Sequence, residues 1–111
     1  MRRFFEFLKR PTRRAVQNQV RVVDRATMIK SKKLLESILG NELAPTNKVK
    51  RVVKVRGGGA LVTVKLEEAP TVELMISPNG RVELYGGINP SYKLEYGELA
   101  DRVRKIVQKH S

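Results

Sequence analysis

The chain has 111 residues, a net charge of +12 at pH 7 and no cysteine. This length suits a single domain with a substantial core, and the absence of thiols excludes disulfides, thiolate metal sites and cysteine nucleophiles. No apolar run approaches the roughly 18 residues that a membrane-spanning helix requires, and the basic N-terminus lacks the pattern of a secretory signal. We therefore expect a cytoplasmic protein, whose many Lys, Arg, Glu and Val residues resemble the composition of thermophile proteins.

The surplus of positive charge is confined to the first half of the chain. Residues 1–56 contain 16 Lys and Arg against four acids, whereas residues 57–111 contain seven residues of each sign. Charge gathered in one half of a small domain creates a directed positive field that attracts polyanions. Nucleic acid is therefore the first partner that the sequence indicates.

Residues 1–11 form a basic and aromatic segment, which we predict to be an appendage to one domain spanning residues 12–111. Its apolar side chains, Phe4, Phe5, Phe7 and Leu8, stand between pairs of basic residues, and Pro11 ends the segment. We hypothesise that these side chains contact the domain itself or a protein partner. An anionic membrane surface is the alternative, because aromatic rings and arginines suit the headgroup region.

A long helix is predicted from Arg13 to about Leu39, with a break near Asp24. This stretch has no Gly or Pro, its apolar residues recur at steps of three, four and seven, and Gly40 follows as a plausible C-cap. The remaining faces of the helix carry much of the positive charge of the chain. Its cations are Arg13, Arg14, Arg21, Arg25, Lys30, Lys32 and Lys33.

Alternating apolar and polar residues predict four short strands, at 49–56, 60–67, 71–76 and 81–85. Glycine-containing turns separate the first strand from the second and the third from the fourth. Each strand has one apolar face and one mostly polar face, which is typical of an antiparallel sheet covered on one side. For the first strand, the pattern places Val49, Val53 and Val55 on the covered face and Lys50, Val52, Lys54 and Arg56 on the open face.

A C-terminal helix is predicted over residues 97–109, where Leu99, Val103 and Ile106 belong to one apolar stripe. This helix and the long one would together cover the apolar face of the sheet. The predicted fold class is therefore α+β, in two layers. A four-stranded antiparallel meander sheet forms one layer, and a long N-terminal helix and a C-terminal helix pack on one face of it.

The best candidate site in the sequence is the basic set on the first strand, Lys48, Lys50, Arg51, Lys54 and Arg56, three of which lie on the open sheet face. Lys50, Lys54 and Arg56 share it in the predicted pattern, and Tyr85 offers a ring on which a base can stack, as in platforms for single-stranded nucleic acid. With the helical cations, the predicted phosphate-binding set is Arg13, Arg14, Arg21, Arg25, Lys32, Lys33, Lys50, Lys54 and Arg56. The alternative is that a one-sided sheet needs a solvated face and that lysines protect an edge strand from aggregation.

Catalytic and metal-binding patterns are weak. The glycines at 57–59 lack the Gly-Lys-Ser/Thr ending of a phosphate-binding loop. The only histidine is His110, near the end of the sequence, and cross-strand pairing accounts for Glu73 and Glu83. We therefore predict no enzymatic activity, no metal and no cofactor.

The sequence favours a small nucleic-acid-binding protein that acts mainly through phosphate contacts. RNA or a ribonucleoprotein particle is preferred over DNA as the partner. The second hypothesis is a protein-interaction or assembly module, in one form membrane-peripheral, that uses the Phe-rich N-terminus as its contact.

Overall fold

Two helices, four strands and a final helix follow one another along residues 23–110, the part of the chain that the computed structural model describes. Helices α1 and α2 span Arg25–Lys30 and Lys32–Leu43. Strands β1 to β4 span Asn47–Lys54, Ala60–Leu66, Val72–Ile76 and Val82–Gly86. A 3-10 turn at Pro90–Tyr92 leads into helix α3, Lys93–Gln108. The strands match the four predicted ones within two residues at each end.

The strands form one antiparallel sheet in the order β1-β2-β3-β4, so each strand pairs with its neighbour in the sequence. Helix α2 packs on β1 and α3 packs on β4, on the same face of the sheet. The core between the layers holds only apolar and aromatic residues, which include Met28, Leu35, Leu39, Val62, Leu74, Tyr96 and Val103. The structure thus confirms an α+β fold with a four-stranded antiparallel meander and helices on one face.

The predicted long helix is wrong in its continuity, because Ser31 divides it. Ser31 has extended backbone angles (φ −100°, ψ 112°) and ends α1 while its Oγ accepts a hydrogen bond from the Leu34 N–H at 3.2 Å. A serine in this position satisfies a free N–H group at the start of a helix, which stabilises a new helix there. Asp24 caps α1 in the same way through the Thr27 N–H at 2.8 Å, and residues 13–22 lie outside the described part.

Helix α2 also ends later than the sequence indicates. Gly40 lies inside the helix, which continues to Leu43. Leu35, Leu39 and Leu43 recur every four residues and are fully buried, so they form one stripe against the sheet. Burial of the third leucine therefore carries the helix past the glycine that we expected to end it.

A β-bulge in β1 overturns the predicted faces of that strand. Val49 pairs with Val64 of β2, but Arg51 pairs with Thr63, so Lys50 is an extra residue and the alternation shifts by one. Val52 is consequently fully buried on the helix-covered face. Val53 aligns with Leu61 and then Met75, across the open face. The prediction that Val53 is covered and that Val52 and Lys54 are open is wrong.

Both predicted glycine turns are confirmed, and both lie at one end of the sheet, here called the hairpin end. Lys54 pairs with Ala60, Ala60 with Ile76 and Ile76 with Val82, which aligns the β1–β2 and β3–β4 connections. In the first connection Gly57 and the next glycine have φ of +94° and +96°, which side chains rarely tolerate. The connection therefore depends on glycine at these two positions.

No helix within residues 23–110 has the length and apolar character needed to cross a bilayer. The proposed boundary between an appendage and the domain, after residue 11, lies outside the described residues. The same is true of Phe4, Phe5, Phe7 and Leu8, the predicted contacts with a partner or membrane.

Candidate nucleic-acid interface

In the described part of the chain, a set of exposed cations without carboxylate partners lies on β1, on the hairpin that follows it and on the two helices before it. Residues 23–56 hold nine Lys and Arg against three acids, and residues 57–110 hold seven of each sign. We call the following set the basic edge: Lys30, Lys32, Lys33, Lys48, Lys50, Arg51 and Arg56. All seven side chains are exposed. Within residues 23–110 none has a carboxylate oxygen within 4 Å.

The sheet part of the basic edge contains a repulsive cross-strand pair. Lys48 of β1 lies directly opposite Lys65 of β2, and like charges in this arrangement destabilise a sheet by roughly 0.2–1 kcal/mol. Lys65 Nζ donates hydrogen bonds to the carbonyls of Leu66, at 2.5 Å, and Ala69, at 3.0 Å. The bulge adds Lys50 and Arg51 beside this pair. A phosphate placed here would relieve the repulsion, because it supplies the negative charge that these strands lack.

The helical part of the basic edge also places cations where they are unfavourable. Lys32 and Lys33 occupy the first turn of α2, which contains no acid. The N-terminus of a helix carries a partial positive charge, so a cation there costs about 0.3–1 kcal/mol at the surface. Free N–H groups at the same terminus favour anions. Both β1 and α2 therefore carry cations at positions where a positive charge is unfavourable.

Lys54 does not belong to the open face, contrary to the sequence prediction. Its Nζ donates hydrogen bonds to the carbonyl of Ile29, in the last turn of α1, and to the carbonyl of Gly58 at 3.3 Å. Partial burial, followed by the positive charge of Lys30, lowers the pKa of Lys54 below its usual range. Its ammonium group thus ties α1 to the β1–β2 hairpin and is already engaged within the protein.

Arg25 lies away from the other predicted cations. It begins α1 beside the β3–β4 turn, where a side chain built on Gly80 would come within 2.9 Å of Arg25 Cδ. Gly80 has a φ of +94°, so both its conformation and this contact require glycine. Arg25 therefore packs on the turn at the hairpin end. Arg13, Arg14 and Arg21 lie outside the described residues.

Tyr85 is exposed, with 61% of its surface accessible, but it is distant from the basic edge. It lies on β4, three strands from β1. Because neighbouring strands are about 4.8 Å apart, β4 and β1 are separated by roughly 14 Å. The surroundings of Tyr85 on the open face include Glu73, which pairs with Gly86 of the same strand, and Glu83, whose charge Arg81 balances. The structure brings together Lys50, Arg56 and the α2 lysines in one edge, and it separates Tyr85 from them.

The predicted phosphate-binding set lacks three members of the basic edge, Lys30, Lys48 and Arg51, although Lys48 and Arg51 belong to the basic set predicted on the first strand. Lys48 and Arg51 stand in the same run of basic residues as Lys50, so local charge density was the available signal. The position of Arg51 depends on the bulge, which the alternation of valines and cations does not reveal, whereas Lys48 precedes the bulge and pairs with Lys65. Lys30 becomes a member because the helix breaks directly after it.

The far end of the sheet, away from the hairpins, has the opposite charge. A cleft of about 220 Å³ there is lined by Glu67, Glu68, Glu95 and Glu98 together with Arg102. Within residues 23–110 no three His, Asp or Glu side chains are grouped so that they could hold a metal ion. His110 lies against the start of α1, with its Nδ1 3.4 Å from the carbonyl of Val23.

Comparisons with protein-family models, with curated proteins and with solved structures give no match for this chain.

Proposed function

We propose that this protein binds nucleic acid through its basic edge, without catalysing a reaction, and that RNA is its preferred partner. The single observation that carries the proposal is the accumulation of seven exposed cations with no carboxylate partner in the described residues. Elsewhere in that part of the chain, three cations pair with carboxylates: Arg81 with Glu83, Arg104 with Asp101 and Lys109 with Glu42. We also propose a cytoplasmic location, which is compatible with the absence of cysteine.

The mode of binding follows from the side chains that the edge offers. Lysines neutralise phosphates as point charges and read no base sequence. No aromatic residue within 23–110 belongs to the basic edge, so base stacking contributes little there. The proposed contact is therefore mainly electrostatic, tolerant of sequence and strongly dependent on salt.

The test is a titration of the full chain with single-stranded RNA, duplex RNA and duplex DNA at several salt concentrations. The full chain is used because residues 1–22 contain seven further Lys and Arg. Phosphate contacts make log affinity fall linearly with log salt, by about 0.7 per contact on single strands and about 0.9 on duplex DNA. We expect a slope that corresponds to about five or more contacts, with tighter binding to RNA.

A pair of double variants locates the contact. Neutralising Lys48 and Lys50 to Gln should reduce the slope by about 1.4 on single-stranded RNA, because two phosphate contacts are lost. The matched control neutralises Lys105 and Lys109 in α3 and just after it, and it should leave the slope within about 0.3 of the parent value. Equal effects of the two variants would show that only net charge matters and would remove the basic edge as the site. Negligible binding at about 50 mM salt would overturn the proposed function itself.

A further inference from the structure

The edge opposite the basic edge carries an apolar groove between β4 and α3. The groove has a volume of about 430 Å³. Val82, Leu84 and Ala100 contribute apolar surface to its lining, and Lys93, Glu98, Asp101 and Arg104 contribute charged groups. Strand β4 is the last strand of the sheet, so no described strand continues the sheet on this side. The groove is therefore a surface of apolar and charged residues beside the last of the described strands.

The same surface carries a protruding leucine beside an open space. Leu94, in the first turn of α3, is 71% exposed, the largest exposed fraction among the large apolar residues of the described part. One turn later, a side chain built on Gly97 would meet no atom within 4 Å. Both residues line the groove. One helix face thus presents a projection and, next to it, a depression floored by Gly97 and Ala100.

We propose that a second copy of this chain occupies the groove, with its α3 packed antiparallel on the first and Gly97 on the two-fold axis. A two-fold contact uses the same patch on both copies, so the patch must be complementary to itself. Residues spaced equally on either side of Gly97 then face each other. Leu94 of each copy meets Ala100 of the other, so each projection enters the opposite depression.

The charges at the ends of this contact agree with the antiparallel arrangement. The same symmetry brings Lys93 of each copy opposite Asp101 of the other, which forms two pairs of opposite charge. Lys93 has no carboxylate partner within the described residues, and Asp101 binds Arg104 at an exposed position. A parallel arrangement would instead align Lys93 with Lys93 and Asp101 with Asp101. Charge complementarity therefore favours the antiparallel pair.

This inference does not rest on the proposed function, because the groove and the basic edge lie on opposite sides of the sheet. A contact made chiefly by the first turns of α3 is small, so we expect a dimer of moderate affinity, with a Kd in the micromolar range. If both proposals hold, the dimer carries a basic edge at each of its two outer sides.

The first test is sedimentation equilibrium of the full chain, without nucleic acid, from low to high micromolar concentration. We expect a reversible monomer–dimer equilibrium. Leu94→Lys should raise the dimer Kd by about tenfold or more, because a buried apolar contact of this size is worth more than about 1.4 kcal/mol. Leu94→Met should retain the dimer. Tyr85→Lys is the matched control, because it replaces another exposed large side chain, on the open face of the sheet, with the same residue. It should leave the Kd unchanged.

A charge swap tests the geometry of the contact. Lys93→Asp or Asp101→Lys alone should weaken the dimer, and the variant with both changes should recover most of the affinity, because the two pairs of opposite charge are restored with their signs exchanged.

A wild-type chain that remains monomeric at high micromolar concentration would overturn the proposal. A dimer that tolerates Leu94→Lys would place the contact elsewhere. A monomer that Leu94→Lys destabilises would show that another segment of the same chain fills the groove, which also contradicts the proposal.

Discussion

The two lateral edges of the sheet are built alike, each from an outer strand and the helix that packs on it, yet they differ in charge and apolar surface. On the β1 and α2 side, seven exposed cations lack carboxylate partners in the described part of the chain. On the β4 and α3 side, charged groups of both signs surround an apolar groove with Leu94 exposed. The fold accounts for this difference, because residues 30–56, which hold the excess charge, form one side of the sheet and the balanced residues 82–108 form the other.

Within residues 23–110 the two outer strands share one feature and differ in others. A bulge interrupts β4 as well as β1, because Glu73 aligns with Gly86 and Leu74 with Leu84. Lysines, arginine and a bulge interrupt β1, which are common means of preventing edge-to-edge aggregation. On β4, Arg104 Nη2 donates to the Val82 carbonyl at 3.3 Å and occupies part of the edge from the helix side. Prevention of aggregation explains some of the charge on β1. It does not explain Lys32 and Lys33, which lie on a helix at its unfavourable end.

The largest expected effect comes from reversing the charge of the basic edge. Changing Lys48, Lys50 and Arg51 to Glu should weaken RNA binding by about 100-fold or more at moderate salt, since contacts become repulsions. The three side chains are exposed, so the urea midpoint of unfolding should change little. Fluorescence anisotropy and urea titration measure the two quantities. A variant that binds as tightly as the parent would show that the two edges do not differ in function.

The next effect separates Lys54 from its exposed neighbours. Lys54→Ala should reduce the free energy of unfolding by about 1–2 kcal/mol, because the carbonyls of Ile29 and Gly58 lose a donor. Lys50→Ala should leave stability nearly unchanged and weaken RNA binding more than Lys54→Ala does. Urea unfolding and RNA titration of both variants check this. The opposite ranking in both measurements would mean that Lys54 faces the ligand.

Two helix-interior glycines provide a matched pair across the edges. Gly40 in α2 and Gly97 in α3 each have open space where a side chain would lie. Alanine at either position should stabilise the dilute monomer by up to about 1 kcal/mol, since glycine disfavours helix. Only Gly97→Ala should also weaken dimerisation, because it fills the proposed contact. Thermal unfolding at low concentration and sedimentation together test this, and equal dimer affinities for the two variants would contradict it.

The smallest effect is a dependence of stability on alkaline pH. The pKa of Lys54 is lowered in the folded state, so the unfolded chain holds the proton more tightly. Stability should therefore rise as pH increases through the folded-state pKa toward the unfolded value near 10.5, and this contribution should be absent at lower pH. In Lys54→Met the rise should disappear. Urea midpoints of both proteins across this window provide the measurement, and identical pH profiles would be the contrary result.

Much of the fold could be predicted from the sequence because its strands alternate regularly and its turns contain glycine. The predicted assignment of side chains to the two faces of the sheet is wrong only in β1, where Val52 and Val53 are adjacent and either can point inward. The bulge that decides between them arises from pairing with β2, which one strand does not reveal. The break at Ser31 was missed because serine is tolerated within helices as well as at their ends.

The candidate site was predictable in its charge and less so in its geometry. Local charge density indicated β1 and the helix before it. The separation of Tyr85 from the cations depends on the strand order, which places β4 farthest from β1. The engagement of Lys54 depends on a contact with residue 29, 25 positions away in the chain. Both are tertiary properties that no local pattern encodes.

A lysine acetylation footprint of the full chain, with and without single-stranded RNA at low salt, tests directly whether RNA binds the basic edge. Mass spectrometry then reports the reactivity of each lysine on both edges in one experiment. We predict that RNA protects Lys32, Lys33, Lys48 and Lys50, and that Lys93 and Lys105 react equally in both samples. Equal protection of the two groups would contradict the account, because it would show that RNA does not distinguish the edges.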